Sequence, residues 1–139
     1  MIILDTNVVS EFMTSPPASS VLSWLNAQDT PSLYLTTITI GEIGFGLRTM
    51  PAGKRRGVLN ERFEQFVATA FDQRILPFDE EAARIYGEIL GHRREIGRPI
   101  SSLDGQIAAI ARSRGFSVAT RNIKDFEECQ LELINPFSG

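Results

Sequence analysis

The chain begins with the segment Met1-Ile2-Ile3-Leu4-Asp5-Thr6-Asn7-Val8, the most informative part of the sequence about the fold. Its apolar run is continuous rather than alternating, which is typical of a strand buried on both faces of a parallel sheet. Asp5 follows this run at once, and a helix is expected over residues 6–12. A buried carboxylate is costly unless a cation or several hydrogen-bond donors compensate it. The opening therefore predicts a buried first strand followed by a functional acid, with capping of the next helix as the alternative role of Asp5.

Apolar runs and helical spacings alternate along the rest of the chain. We expect further strands at residues 32–37, 74–77, 116–120 and 131–134. We expect helices at 18–27, 40–50, 59–71, 79–96 and 102–114, and a basic loop at 51–57. Strands that alternate with helices indicate a parallel sheet covered by helices on both faces. The predicted fold class is therefore α/β, with one domain spanning residues 1–139.

Composition excludes several classes of protein. The single histidine, His92, rules out a centre built on two or three histidines, and the single cysteine, Cys129, cannot form an internal disulfide. No apolar run approaches the length of a membrane span, so no membrane partner is expected. Without a recognisable signal peptide, the expected compartment is the cytoplasm.

The charge balance leaves a nucleic-acid substrate open. The net charge is −3, which argues against indiscriminate polyanion binding. The basic residues are nonetheless twelve arginines against two lysines, and arginine binds phosphates with a planar fork of donors. Neutralising four carboxylates with bound metal would turn the remaining charge slightly positive. Binding of a polyanion is therefore expected to depend on metal.

Acids recur where the predicted strands end. Asp5 follows the first strand, Glu42 the second and Asp125 the fourth, while Asp104 opens the helix before that fourth strand. Ligands of open α/β sheets bind at this carboxyl edge, and carboxylates without histidine or cysteine suit hard cations.

Each later acid also has a purely structural interpretation. Thr39-x-x-Glu42 and Ser101-x-x-Asp104 match the capping box, and Asn122-x-x-Asp125 nearly does. The position of all these acids at one predicted edge nevertheless favours a shared site.

The ordered set of motifs resembles a known family. The motifs are Ile3–Val8, Glu42 after a strand, Ser102–Ala108, and Ala119–Asn122 followed by Lys124–Phe126. They are similar to those of the PIN domain and, more narrowly, of the VapC/FitB toxins of bacterial toxin–antitoxin modules. The stretch Arg74–Asp79 resembles the same toxins.

The resemblance implies a metal-dependent endoribonuclease. Asp5, Glu42 and Asp104 match the family's acids, whereas its fourth acid, an aspartate in some members, corresponds here to Asn122. An asparagine offers a carbonyl but no charge, so the fourth acidic role is assigned to Asp125.

Further roles follow from the same resemblance. Thr6 and Thr120 match residues that orient the acids by hydrogen bonds, as Asn122 would, and Arg121 and Lys124 are candidate RNA contacts. One or two Mg²⁺ or Mn²⁺ ions would polarise the phosphodiester and activate water for in-line attack. The implied partners are RNA, a second copy of the chain, and a small antitoxin that inhibits it and binds DNA.

Two other classes remain as alternatives. A haloacid-type phosphatase also places an aspartate after its first strand, but needs a second one where this chain has Asn7, and a phospho-receiver needs further acids and a late lysine. A PIN-like binding module with weak catalysis would instead act through the antitoxin and operator DNA.

Overall fold

The computed structural model describes residues 1–13 and 16–138, and its elements alternate as predicted. The strands are β1 (Ile2–Leu4), β2 (Leu33–Thr36), β3 (Ile75–Leu76), β4 (Ser117–Ala119) and β5 (Leu133–Ile134). The helices are α1 (Thr6–Met13), α2 (Ser19–Asn26), α3 (Thr37–Thr49), α4 (Lys54–Ala70), α5 (Glu80–Glu95), α6 (Ser102–Arg114) and α7 (Ile123–Phe126). A short 3₁₀ turn, Thr30–Ser32, precedes β2.

The strands form one parallel sheet in the order β3-β2-β1-β4-β5. The central strand β1 pairs through Ile3 with Tyr34 of β2 and with Val118 of β4. The chain therefore extends the sheet in one direction through β2 and in the other through β4. Such a switch point opens a crevice at the carboxyl ends of the strands, and Asp5 lies there.

Helices pack against both faces of the sheet, which confirms the predicted α/β class. Ile3 faces a cluster that contains Ile89 of α5 and Ile107 of α6. Leu4, the next residue, faces the opposite cluster, which contains Val8 of α1 and Phe63 of α4. Both strand residues are fully buried. The continuous apolar run at the start of the chain thus has one core on each side of it.

Local signals define the ends of the helix that carries Asp104. The Ser101 hydroxyl accepts a hydrogen bond from the backbone N–H of Asp104 at 3.2 Å, which caps the start of α6. Gly115, with a φ of 70°, ends that helix in the left-handed region. Gly105 permits close packing of α6 on α5, since a Cβ there would lie 2.6 Å from Leu90 Cδ1.

Three local predictions are wrong. Helix α3 is capped by Thr36, whose hydroxyl accepts from the N–H of Thr39, so Thr39 lies inside the helix and forms no capping box with Glu42. The basic stretch from Lys54 to Arg56 is helical rather than part of a loop, because the chain already turns at Gly53, with a φ of 154°, where α4 begins. The segment between the predicted strands at 116–120 and 131–134, where no helix is expected, contains the short helix α7.

In the part of the chain that is described, no helix combines the length and the apolar character needed to cross a bilayer.

Candidate active site

Asp5 is a buried carboxylate at the switch point of the sheet. Asp5 is the residue directly after β1, and it is 5% exposed. Its Oδ2 accepts a hydrogen bond from Thr120 Oγ1, and its Oδ1 accepts one from the backbone N–H of Thr6, both at 2.8 Å. Two neutral donors therefore hold both oxygens in place.

These donors compensate the charge of Asp5 only in part. Burial raises the pKa of Asp5 from 3.8 to about 6, against the opposing effect of the hydrogen bonds from Thr120 and Thr6. The nearby carboxylates of Asp104 and Glu42 contribute to the same increase. Asp5 thus carries a negative charge at neutral pH that a bound cation would stabilise.

Glu42 reaches the same region from α3, in the second turn of that helix. Its Oε1 accepts a hydrogen bond from Thr6 Oγ1 at 2.8 Å. The Thr6 hydroxyl also lies 3.0 Å from Thr39 Oγ1. Thr6 therefore contacts two of the predicted acids, donating through its backbone to Asp5 and through its side chain to Glu42.

Asp104 stands in the first turn of α6 and is half-buried. Burial raises the pKa of its carboxyl group, the Ser101 hydroxyl lowers it, the charge of Asp125 raises it, and the charge of Arg93 lowers it. The helix start explains how the backbone of Asp104 is bound. Its side chain remains available to the site.

A cavity of about 430 Å³ brings most of the predicted residues together. Those that line it are Asp5, Thr6, Glu42, Asp104, Arg121 and Asn122. Thr120 contacts it through its bond to Asp5, and its hydroxyl also accepts from the N–H of Asn122 at 3.0 Å. Lys124 and Asp125 are exposed on α7 and do not line the cavity. Asp125 still influences the pKa of Asp104 through its charge.

Three more polar residues of α1 line the cavity: Asn7, Ser10 and Glu11. Ser10 and Glu11 are not among the site residues predicted from the sequence. They follow Asn7 by three and four positions, so the three side chains share one face of the helix. Asn7 Oδ1 accepts from the N–H of Arg121 at 3.2 Å, and Glu11 Oε2 accepts from the N–H of Ala18 at 2.7 Å. Helical spacing from Asn7 was the available signal.

Arg93 is a buried cation behind the site. At 4% exposed, it donates through Nη1 to the carbonyls of Asp125 and Glu127, each at 2.9 Å, and through Nε to the carbonyl of Arg98. It thereby ties α5 to the segment that carries Asp125. This role is not predictable from the sequence, because His92, Arg93 and Arg94 together resemble a solvated helix end.

The donor set fits a hard cation by its chemistry. Carboxylate, amide and hydroxyl oxygens line the cavity, and the buried charge of Asp5 is incompletely compensated. Among residues 1–13 and 16–138, no three histidine, cysteine or acidic side chains are arranged as a ready metal cage. Glu42 and Asp104 are half-buried and line the same cavity as Asp5.

Known proteins are similar to this chain in fold and in sequence. Residues 2–129 match the PIN domain. The chain is 46% identical over 137 residues to the VapC ribonuclease Y4jK of Sinorhizobium fredii, covering 99% of this chain and 98% of that protein. It is 39% identical to the toxin FitB of Neisseria gonorrhoeae, covering 99% of each. The solved structure of FitAB bound to the IR36 DNA fragment superposes with a TM-score of 0.93 at 39% identity, covering 100% of this chain and 97% of that one.

The chain therefore belongs to the PIN-domain family and, within it, to the VapC/FitB group.

Proposed function

We propose that this protein is a metal-dependent endoribonuclease that acts as the toxin of a toxin–antitoxin module. The observation that carries the proposal is the gathering of Asp5, Glu42 and Asp104 around one oxygen-lined cavity, at the switch point of a PIN fold. The name of the relative VapC ribonuclease Y4jK supports RNA as the substrate. An RNA substrate also favours the cytoplasm as the place of action.

Asp5, Glu42 and Asp104 are the proposed ligands of one or two Mg²⁺ or Mn²⁺ ions. Asp125 remains the proposed fourth acid. Because it does not line the cavity, its proposed contribution is chiefly the negative charge that it adds near Asp104. When bound, the cation supplies the positive charge that stabilises the transferring phosphoryl group.

The residues of the chain itself supply orientation and proton transfer. Thr120 and Thr6 hold the Asp5 carboxylate against rotation through bonds of 2.8 Å. A carboxylate of the site that is not bound to the ion would position the attacking water and take its proton. Arg121 on the cavity rim presents a guanidinium to the RNA backbone, and exposed Lys124 is proposed as a further contact.

The test is RNA cleavage by Asp5→Asn and Asp104→Asn variants. We expect both to lose EDTA-sensitive cleavage while remaining folded. Glu80→Gln is the matched control, because Glu80 is an exposed carboxylate on α5 and lines none of the cavity. Full activity in either site variant would refute the assignment. Folded protein that binds its partners but never cleaves RNA would instead favour the binding-module alternative.

The proposed partners are a small antitoxin and a second copy of this chain. The solved structure of FitAB bound to a DNA fragment supports a protein partner whose complex with this chain binds DNA. Co-expression of the neighbouring reading frame, followed by size measurement of the purified complex, tests both partners. We treat residues 1–139 as the single domain that enters such a complex.

A further inference from the structure

Arg121 is fixed on the rim of the carboxylate cavity although it is exposed. Its guanidinium carbon lies 4.4 Å from the centroid of the Phe137 ring. Its backbone N–H donates to Asn7 Oδ1 at 3.2 Å, and its carbonyl accepts from Asn135 Nδ2 at 3.4 Å. Within the described chain, no carboxylate forms an ion pair with this guanidinium. A held cation without an anionic partner is suited to an external phosphate.

A second cavity lies beside the Phe137 segment. It measures about 480 Å³ and is lined by Ser19, Ser20, Ser23, Trp24, Pro136 and Ser138. Pro136 and Ser138 flank Phe137, and Ser20 Oγ donates to the Phe137 carbonyl at 3.3 Å. The second cavity is therefore lined by both chain neighbours of Phe137, the residue on whose ring the Arg121 guanidinium lies.

The lining of the second cavity suits a nucleobase. None of the described residues that line it is ionisable, so it offers neither a cation for a phosphate nor an acid for a metal. Trp24, which is half-buried against the core, lines the cavity together with the exposed residues Ser19 and Ser23. An aromatic ring with neutral hydrogen-bonding groups beside it is the usual means of holding an unstacked base.

We infer that the Trp24 cavity is a base-binding subsite for the RNA strand that enters the carboxylate cavity. The strand passes over Arg121, which contacts a phosphate, and places a neighbouring base against Trp24. This inference rests on the proposed ribonuclease function. It adds a position at which the enzyme grips the substrate away from the bond that is cut.

Trp24 is the only tryptophan of the chain, so its fluorescence reports on this cavity directly. The experiment uses the full-length Asp104→Asn variant in Mg²⁺, which binds without cutting, and a short unstructured RNA oligonucleotide. Anisotropy of end-labelled RNA measures binding, and emission of Trp24 with unlabelled RNA measures contact at the subsite. We expect the emission to change with the same Kd as the anisotropy. Replacing one base by an abasic nucleotide is expected to remove the emission change at one position of the oligonucleotide.

Substitutions separate stacking from packing. Trp24→Leu is expected to weaken RNA binding about tenfold, within the range for loss of one base–aromatic stack. Trp24→Phe keeps an aromatic face and is expected to bind within about threefold of the parent protein. Leu22→Ala, on the same helix but outside the cavity lining, is the control for general changes in α2. Melting temperatures of all three variants show whether each remains folded.

The outcomes keep the two proposals apart. RNA that binds by anisotropy without changing Trp24 emission, and with equal affinity for Trp24→Leu, would overturn the subsite while leaving the ribonuclease proposal intact. Absence of any RNA binding would overturn both. Trp24 emission could also change with protein concentration when no RNA is present. That result would mean that a second copy of the chain covers the cavity, and it would also overturn the subsite.

Discussion

Thr120 Oγ1 donates a 2.8 Å hydrogen bond to Asp5 Oδ2, and the two residues are 115 positions apart in the chain. Thr120 is fully buried and Asp5 nearly so. The bond joins the carboxyl ends of β1 and β4, the two strands that border the switch point. It is a neutral donor on a buried charge, so it orients the carboxylate without neutralising it.

Replacing Thr120 by valine is expected to reduce RNA cleavage by about 10- to 100-fold, as for loss of other groups that orient metal ligands. Valine keeps the shape but removes the donor to Asp5 and the acceptor for the N–H of Asn122. Thr120→Ser retains the hydroxyl and is the control. Initial cleavage rates at fixed Mg²⁺ measure the effect. Equal activity of the valine and serine variants would contradict it.

The metal-free protein is expected to lose stability as pH rises from about 4 to about 6. The folded state raises the pKa of Asp5 from 3.8 to about 6, so it binds a proton more tightly than the unfolded chain does. The extra stability is complete below the unfolded pKa and is lost as pH passes the folded pKa. Its size is about 3 kcal/mol for Asp5, and the raised pKa of Asp104 acts in the same direction.

Urea unfolding in EDTA across this pH range measures that loss. Asp5→Asn removes the titrating group and should flatten the profile, leaving a smaller slope from Asp104. Glu81→Gln changes an exposed carboxylate on α5 and should leave the profile as in the wild type. A wild-type stability that increases steadily between these pH values would show that the charge of Asp5 is compensated.

Arg93→Met is expected to destabilise the protein by about 3 kcal/mol, because it leaves three partly buried carbonyl groups without their side-chain donor. The carbonyls are those of Asp125, Glu127 and Arg98. Arg94→Met, the exposed neighbour, is the control and should change stability by less than about 0.5 kcal/mol. Urea unfolding of both variants gives the comparison. Similar stabilities would mean that water satisfies these carbonyls.

Asp125→Asn is expected to weaken Mn²⁺ binding less than Asp104→Asn does. Asp104 lines the carboxylate cavity, whereas Asp125 lies outside it and acts through its charge. Asn122→Asp adds a carboxylate at a residue that does line the cavity, and should tighten Mn²⁺ binding. Calorimetric titration of the three variants ranks the positions. A loss in Asp125→Asn as large as that in Asp104→Asn would make Asp125 a direct ligand.

Local patterns were sufficient for most of the architecture. The apolar run before Asp5, the cap at Ser101 and the stop at Gly115 each depend on residues adjacent in sequence, and all three features appear in the fold. The predicted start of α3 is wrong, because Thr36 and Thr39 are both acceptable N-cap residues. The end of β2 at Thr36 determines which of the two caps the helix.

That a buried strand ends in Asp5 follows from the sequence alone, because hydrophobicity and the change to polar residues are local. Which distant side chains meet Asp5 depends on the folded structure. Whether Glu11 faces the cavity, or Arg93 faces the interior, depends on how each helix is rotated against the sheet. That rotation is set by packing of both cores at once, and no short stretch of sequence contains it.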